Sequence, residues 1–245
     1  MSKKQKMTAV VLSQEKIAED IYSMWLKAEP IAAEAVPGQF ISMYTNDGGK
    51  LLPRPISLCE IDQEKGALRV VYRVTGKQTG TEQFSLMKEG DTLDVMGPLG
   101  NGFDLETGRE KKAMLFGGGI GVPPMLELAK QLKAGYQTEC QLVMGYRSET
   151  FLTKELEEME HFILLQKMEA REPKETSWMQ WQRTAWSRCD LCLRTDSDAA
   201  CHQAVCRREQ DRVLHFDGRK NGLRSWRMSG MRLSVQRSGS PQSCS

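Results

Sequence analysis

From Met7 to about Phe103, apolar and polar positions alternate in short β-prone runs: Thr8–Leu12, Ile21–Lys27, Gln39–Tyr44, Ile56–Ile61, Ala67–Val74 and Thr92–Met96. Pro37-Gly38, Asp47-Gly48-Gly49 and Glu89-Gly90-Asp91 break them. Many short strands at roughly ten-residue spacing, separated by turn residues, predict an antiparallel barrel or sandwich. Thr81–Met87 reads as one short helix between the last two runs. The period then changes. Met114–Phe116 is a continuous apolar run, and Gly117-Gly118-Gly119-Ile120-Gly121 follows it at once. Leu126, Leu128, Ala129 and Leu132 then recur at helical spacing, with Pro123 and Pro124 where a helix's first turn needs no N–H. A strand over Gln141–Met144 and a helix over Lys154–Glu160 continue the alternation, which is the opening of a doubly wound parallel sheet. The expected architecture is a β-barrel or sandwich over residues 1–105 followed, over 106–165, by the opening of an α/β domain.

Composition changes this picture in one place. With 245 residues and 40% hydrophobic content the chain can bury one large core or two modest ones. The basic start MSKKQKMTAVVLSQEK has too short an apolar patch for a secretory leader or a span, so a cytoplasmic protein is expected, with no membrane and no nucleic-acid partner. The net charge of +2 hides an asymmetry: residues 1–165 carry 19 basic and 23 acidic side chains, residues 166–245 carry 15 and 9. That tail holds four of the five Trp and five of the seven Cys, but no Ile or Tyr. Two different compositions have been joined.

Three stretches carry candidate chemistry. In Gly117, Gly118, Gly119, Ile120 and Gly121 the missing side chains let backbone N–H groups approach a pyrophosphate at the start of a helix. The ordinary alternative is a tight strand–helix turn with no ligand. Arg54, Pro55, Ile56 and Ser57 place a fixed cation and a hydroxyl at the mouth of a strand, suited to a phosphate and a flavin edge. Tyr72 and Arg73, then Gly80 and Thr81, add a second arginine and a small-residue helix start. Taken singly, Arg54 could be a solvated turn residue and Gly80-Thr81 a helix cap.

In this order the motifs resemble the ferredoxin–NAD(P)H reductase superfamily, and more closely the electron-transfer subunit family of bacterial NAD-dependent (class 1B) dihydroorotate dehydrogenase. The likeness covers about residues 7–160 and implies an FAD-binding β-barrel over residues 1–105 followed by the first half, 106–165, of an NAD-binding α/β domain. It implies that Arg54–Ser57, Tyr72-Arg73 and Gly80-Thr81 hold FAD, that Gly97–Phe103 closes the barrel, and that Gly117–Gly121 receives NAD(H). It also implies a [2Fe–2S] cluster and a partner, the FMN-containing catalytic subunit that oxidises dihydroorotate to orotate, in a heterotetramer. Related reductase subunits of ferredoxin or hydrogenase complexes share these motifs. No catalytic residue is assigned. The loop Gly76–Thr81 is longer than the family's usual G-K-G-T.

The tail departs from the family altogether. Cys189 and Cys192, and then Cys201 and Cys206, lack the spacing and scaffold of a metal site, so no metal ligand is assigned. Out of frame the tail changes character. Read with each codon's last two bases joined to the next first base, Ser187–Cys206 can encode ADVIYACGPTPMLRAIK, and Val213–Ser234 can encode a run containing C-x4-C-x2-C, the spacing of plant-type [2Fe–2S] ligands. Gln166–Ser187 becomes family-like in the other shifted frame. Residues with single codons leave no freedom here: Trp226 forces a glycine, and Met228 and Met231 supply the first two bases of cysteine codons. Residues 166–245 therefore read as a disordered or non-native, out-of-frame replacement for the rest of the nucleotide domain and the cluster segment. The chain could then be an inactive product. The gene should show one-base disruptions near codons 165 and 187; codons that fail to spell the recovered motifs on sequencing would refute this origin of the tail.

Overall fold

A computed structural model describes residues 4–50, 52–146, 149–159, 161–166, 191–196 and 213–217. The N-terminal half is a closed antiparallel barrel of β1 (Gln5–Ala18), β2 (Ile21–Lys27), β3 (Phe40–Met43), β4 (Arg54–Asp62), β5 (Ala67–Arg73) and β6 (Thr92–Leu99), in the order β1-β2-β5-β4-β3-β6. Closure comes from β6 pairing with β1, from Gln5↔Gly97 to Val10↔Thr92, so no edge strand is left to aggregate. The alternation seen in the sequence fills its interior with Met24, Leu26, Ile41, Met43, Leu58, Leu68, Val70, Tyr72, Leu93 and Val95. Two short helices add to this core at opposite ends: α1 (Glu29–Ala32) with Ile31 and α2 (Gly80–Ser85) with Phe84. The Gly97–Phe103 turn leaves β6 and is tied back where the Phe103 N–H donates to the Pro37 carbonyl at 2.9 Å.

The C-terminal half contains β7 (Lys112–Gly118), α3 (Pro123–Tyr136), β8 (Glu139–Tyr146), α4 (Thr153–Glu157), β9 (His161–Gln166), β10 (Leu191–Asp196) and β11 (Val213–Asp217). Its strands form a parallel sheet in the order β11-β10-β7-β8-β9. β7, β8 and β9, up to Gln166, supply three neighbouring strands of this sheet. β10, from the tail, pairs with β7 from Leu191↔Ala113 to Arg194↔Phe116, and β11 pairs with β10. The unpaired N–H and C=O groups of a strand flank accept any β-competent segment that reaches them. The Leu191–Leu193 and Val213–Phe216 runs are such segments.

The two halves share a core. Helix α3 begins with Pro123 and Pro124 at its first positions, and every residue from Pro123 to Ala129 is buried, including Glu127. Met125, Leu126, Leu128 and Ala129 pack in one cluster with Leu115 and Leu142 of the sheet and with Ile21, Cys59 and Val71 of the barrel. Strand β4 is thus buried on both faces: Leu58 looks into the barrel core and Cys59 joins the cluster with α3, at a bulge between Leu58 and Glu60.

A polar network lies along the same boundary. The Glu127 carboxylate, 5% exposed, accepts from the Ile61 N–H of β4 at 3.1 Å and from Gln131 Nε2 at 2.7 Å. Beside it Arg69 donates to Ser23 Oγ at 2.8 Å, to Glu60 at 2.5 Å and to Glu155 of α4 at 3.3 Å, while Lys130 of α3 pairs with Glu60. Burial pushes the Glu127 carboxyl up from its ordinary value, against the lowering effect of its Gln131 and Ile61 hydrogen bonds. No helix among the described residues is long and apolar enough to cross a membrane.

Replacing Glu127 with leucine should destabilise the fold by about 1–3 kcal/mol in urea titrations, because the Ile61 N–H loses its acceptor in a buried place. Glu127→Gln keeps an acceptor and should lose less. A carboxyl with a raised native pKa costs stability as pH rises above its unfolded value, so the Gln variant should gain on the wild type as pH rises above the ordinary carboxyl range. A gap between the two that is independent of pH would exclude an ionised, buried Glu127.

Candidate functional site

Strands β4 and β5 pair antiparallel up to Leu58↔Val70. Beyond that pair the first residues of β4, Arg54–Ser57, and the last of β5, Val71–Arg73, lie at one end of the barrel, the end that α2 covers. Arg54–Ser57 are held by β3 instead, through Arg54↔Met43, Pro55↔Ser42 and Ser57↔Phe40. Arg54 Nη1 donates to the Leu52 carbonyl at 3.0 Å, and its stem lies on Gly80: a Cβ at that glycine would stand 3.0 Å from Arg54 Nε and 3.2 Å from Thr45 Cγ2. Glycine at position 80 is what allows the arginine and the start of α2 to meet.

The loop before α2 is closed by its own threonines. Thr79 is the cap: its hydroxyl accepts from the Glu82 N–H at 3.2 Å and donates to the Gly76 carbonyl at 2.8 Å. The Glu82 carboxylate reaches back to accept from the Gln78 N–H, one residue before the cap, a variant of the T-x-x-E capping box. Thr81 is buried, and its hydroxyl accepts from the Thr75 N–H at 3.3 Å. The longer Gly76–Thr81 loop is therefore an ordered turn that carries Gly80 to Arg54.

Of the other residues named from sequence, Ser57 and Ile56 are half-buried and Pro55 and Arg73 are exposed at this end. The Tyr72 side chain turns away into the barrel core, where its hydroxyl donates to Gln14 Oε1 at 2.9 Å and its ring stacks on Tyr22 and meets Phe84 edge-on. Tyr72 can serve this end through its main chain.

The glycine turn stands opposite. Gly117 and Gly118 end β7, and Gly119, Ile120 and Gly121 form a 3₁₀ turn into α3. A Cβ at Gly117 would sit 2.8 Å from Met144 Sδ and 2.9 Å from Val122 Cα, so only glycine permits this approach of helix to strand. A Cβ at Gly118 would meet nothing within 4 Å, so the backbone there borders open space. In the sheet β8 and β9 follow on one side of β7 and β10 on the other, which makes the carboxyl ends of β7 and β10 the topological switch point, the crevice where open α/β sheets bind ligands. The turn packs onto the barrel: Ile120 joins the cluster that holds Ile21 and Val71, and Gly119–Gly121 abut β5. The structure thus brings Arg54–Ser57, Gly80-Thr81 and the end of β5 to one end of the barrel, and sets the Gly119–Gly121 turn against β5.

These residues fit a dinucleotide flavin and a nicotinamide nucleotide: a cation seated on a glycine for one diphosphate, a side-chain-free turn at a switch point for the other. The described residues do not fit an iron–sulfur cluster. No group of three or more His, Cys, Asp or Glu among them could hold a metal, and Cys59 and Cys140 are buried apart in the core. Cys189, Cys201 and Cys206 lie outside the described residues.

Residues 8–103 match the family described as oxidoreductase FAD-binding domain. The fold agrees. A ferredoxin–NADP+ reductase from Plasmodium falciparum superposes with a TM-score of 0.64 at 10% identity, over 86% of this chain and 96% of that one. An NADH-dependent reduced ferredoxin–NADP oxidoreductase superposes with a TM-score of 0.61 at 27% identity, over 76% of this chain and 66% of that one. Residues 8–103 thus match an FAD-binding domain family, and the barrel they form is similar in fold to ferredoxin reductases. More particularly, the chain is similar to the electron transfer subunit of dihydroorotate dehydrogenase B (NAD+). It is 43% identical to that of Listeria monocytogenes serotype 4a over 149 residues, which is 60% of this chain and 57% of the relative. It is 51% identical to that of Streptococcus thermophilus over 127 residues, 51% of this chain and 48% of the relative. The chain spans about half the length of the curated relatives it matches.

Replacing Arg54 with alanine should weaken FAD binding by the full chain about ten- to a hundred-fold, the worth of one charge-assisted contact of roughly 1.5–3 kcal/mol. Quenching of flavin fluorescence measures both proteins, and equal affinities would remove Arg54 from the site.

Proposed function

We propose that this chain derives from the electron-transfer subunit of an NAD-dependent dihydroorotate dehydrogenase, and that its retained chemistry is hydride exchange between NAD(H) and FAD. The observation that carries this reading is the contact of the Gly119–Gly121 turn with β5, the strand whose last residues lie at the same end of the barrel as Arg54–Ser57, so that both nucleotides would share one crevice. Bound FAD supplies a centre that takes a hydride as a pair and releases electrons singly. Arg54 neutralises its diphosphate, Ser57 offers a hydroxyl at the flavin edge, and the main chain of Ile56 and Tyr72-Arg73 lines the same end. The Gly117–Gly121 backbone takes the NAD pyrophosphate. The shared core around Val71, Ile120 and Met125 excludes water and fixes one domain on the other. In the parent protein the electrons would continue to an FMN-containing partner that converts dihydroorotate to orotate, within a cytoplasmic heterotetramer. A reductase subunit of another ferredoxin or hydrogenase complex is the neighbouring reading.

One observation favours a second reading, that the chain as written is a disabled product. No C-x4-C-x2-C, the spacing of plant-type [2Fe–2S] ligands, occurs in the chain. The frame-shift origin draws support from the two tail strands. β10 falls on residues whose codons can spell Tyr-Ala-Cys-Gly-Pro in the shifted frame from Leu191 to Thr195, and β11 on residues whose codons can spell Cys-Tyr-Ile-Ser-Met from Val213 to Asp217. The recovered family segments and the observed strands coincide in position.

The purified chain should bind FAD yet contain no stoichiometric iron or acid-labile sulfide, even after anaerobic reconstitution. A version with the tail restored to the recovered frame should gain the cluster, and NADH should bleach its flavin absorption. A cluster at about one per chain in the unrestored protein, or a restored protein whose flavin NADH does not bleach, would overturn the proposal.

A further inference from the structure

Helix α3 is fastened to the barrel at two levels. The first is apolar and lies at its start, where Gly119–Gly121 abut β5 and Ile120 shares a cluster with Val71. Past Cys59 the boundary between β4 and α3 opens into a groove of about 370 Å³, with Trp25, Asp62 and Glu64 on its walls. Here the second fastening is polar. Consecutive residues of β4 take side chains one helical turn apart on α3: Glu60 Oε2 pairs with Lys130 Nζ, and the Ile61 N–H donates to Glu127 Oε2 at 3.1 Å. The Glu60 carboxylate is itself held, because its other oxygen accepts from Arg69 Nη1 of β5, and Arg69 also reaches Glu155 of α4 at 3.3 Å. The Glu60 and Arg69 side chains are only 15% and 11% exposed, so water and salt screen this group less than a surface ion pair.

The two levels together give the helix a direction. At a rise of 1.5 Å per residue, Glu127 and Lys130 stand about 9 and 14 Å along the axis from Gly121. A rigid rod held at one point pivots, whereas one held at two points so far apart does not. Strand β4 begins with Arg54–Ser57, the candidate flavin contacts, and α3 is the helix that the glycine turn opens. The polar fastening therefore joins the two elements that carry the two candidate sites, at the opposite end of β4 from Arg54. We propose that Lys130 and Glu127 are positioning residues for hydride exchange: through Glu60 and the Ile61 N–H they set the tilt of α3, and with it the place at which the glycine turn presents a nicotinamide nucleotide to the flavin. The inference rests on the hydride-exchange reading above. A misplacement of about 1 Å between reacting centres is enough to cost on the order of a hundred-fold in rate, even when it arises far from the chemistry.

Mixing the FAD-loaded full chain with NADH, and following the loss of flavin absorption, tests this beside a measurement on the flavin-free protein. Lys130→Met should lower the rate at saturating NADH about ten- to a hundred-fold, with the half-saturating NADH concentration and the FAD affinity each unchanged to within about twofold. Lys130→Arg, which keeps the cation, should restore the rate. In the flavin-free chain the Ile61 amide should exchange its hydrogen several-fold faster in Lys130→Met, because a pivoting helix draws Glu127 from it, while the Val70 amide in the barrel core keeps its protection. A limiting rate or an Ile61 exchange rate that Lys130→Met leaves unchanged would overturn the positioning role alone. So would a Lys130→Arg variant as slow as Lys130→Met, or a Lys130→Met variant that loses FAD affinity in step with its rate, the mark of general destabilisation. An unmodified chain that binds FAD but is not bleached by NADH would overturn the hydride-exchange reading, and the positioning role with it.

Discussion

Helix α3 has to satisfy two surfaces at once, and the rest of the molecule follows from how it does so. Its first two turns are buried all round, against the sheet through residues such as Leu126 and against β4 of the barrel. A helix with no exposed face cannot carry a polar residue without a partner, and Glu127 is the one such residue there. Its two carboxylate oxygens are spent on the Ile61 N–H and on Gln131. One of these bonds crosses the domain boundary. The same helix begins at the Gly117–Gly121 turn, so fixing α3 on β4 also fixes where the turn points.

The candidate site inherits its precision from that arrangement. Neither half of the crevice is built from unusual residues: an arginine on a strand mouth, a glycine at a helix start, five residues with almost no side chains. What turns them into a candidate site is that Ile120, leaving the glycine turn, packs in the same cluster as Val71 of β5, one residue from Tyr72. Polar contacts then set the details. The Arg69–Glu60–Lys130 group ties β5 and β4 to α3, and the Thr79 capping box brings Gly80 under Arg54. The Asp47–Gln83 bond holds the loop after β3 against the α2 region.

The sheet shows how far backbone pairing can act without family sequence. β10 and β11 come from a tail whose composition shares little with the rest of the chain, yet they take parallel positions beside β7. A strand edge asks only for an extended segment with β-tolerant residues, and Leu191–Leu193 and Val213–Phe216 meet that demand. Ligand chemistry asks for more. Cluster ligands need particular cysteines at particular spacings, and the C-x4-C-x2-C spacing does not occur in this chain.

By itself the sequence determined the elements whose signal is local. Period-two alternation laid out the six barrel strands, Pro123-Pro124 and the glycine run marked the strand–turn–helix, and Arg54–Ser57 with Gly80-Thr81 named the end of the barrel that matters. Each of these depends on neighbours within a few residues. Only the tertiary structure decided that Tyr72 spends its side chain in the core, that Glu127 is buried between domains, that the tail covers β7, and that Glu60 meets Lys130 across the domain boundary. Such facts join residues tens of positions apart, through packing and hydrogen bonds that carry no periodic trace in the chain. The polarity of Glu127, on an otherwise apolar helix face, was the single hint the sequence contained, and helical periodicity alone assigns such a residue to solvent.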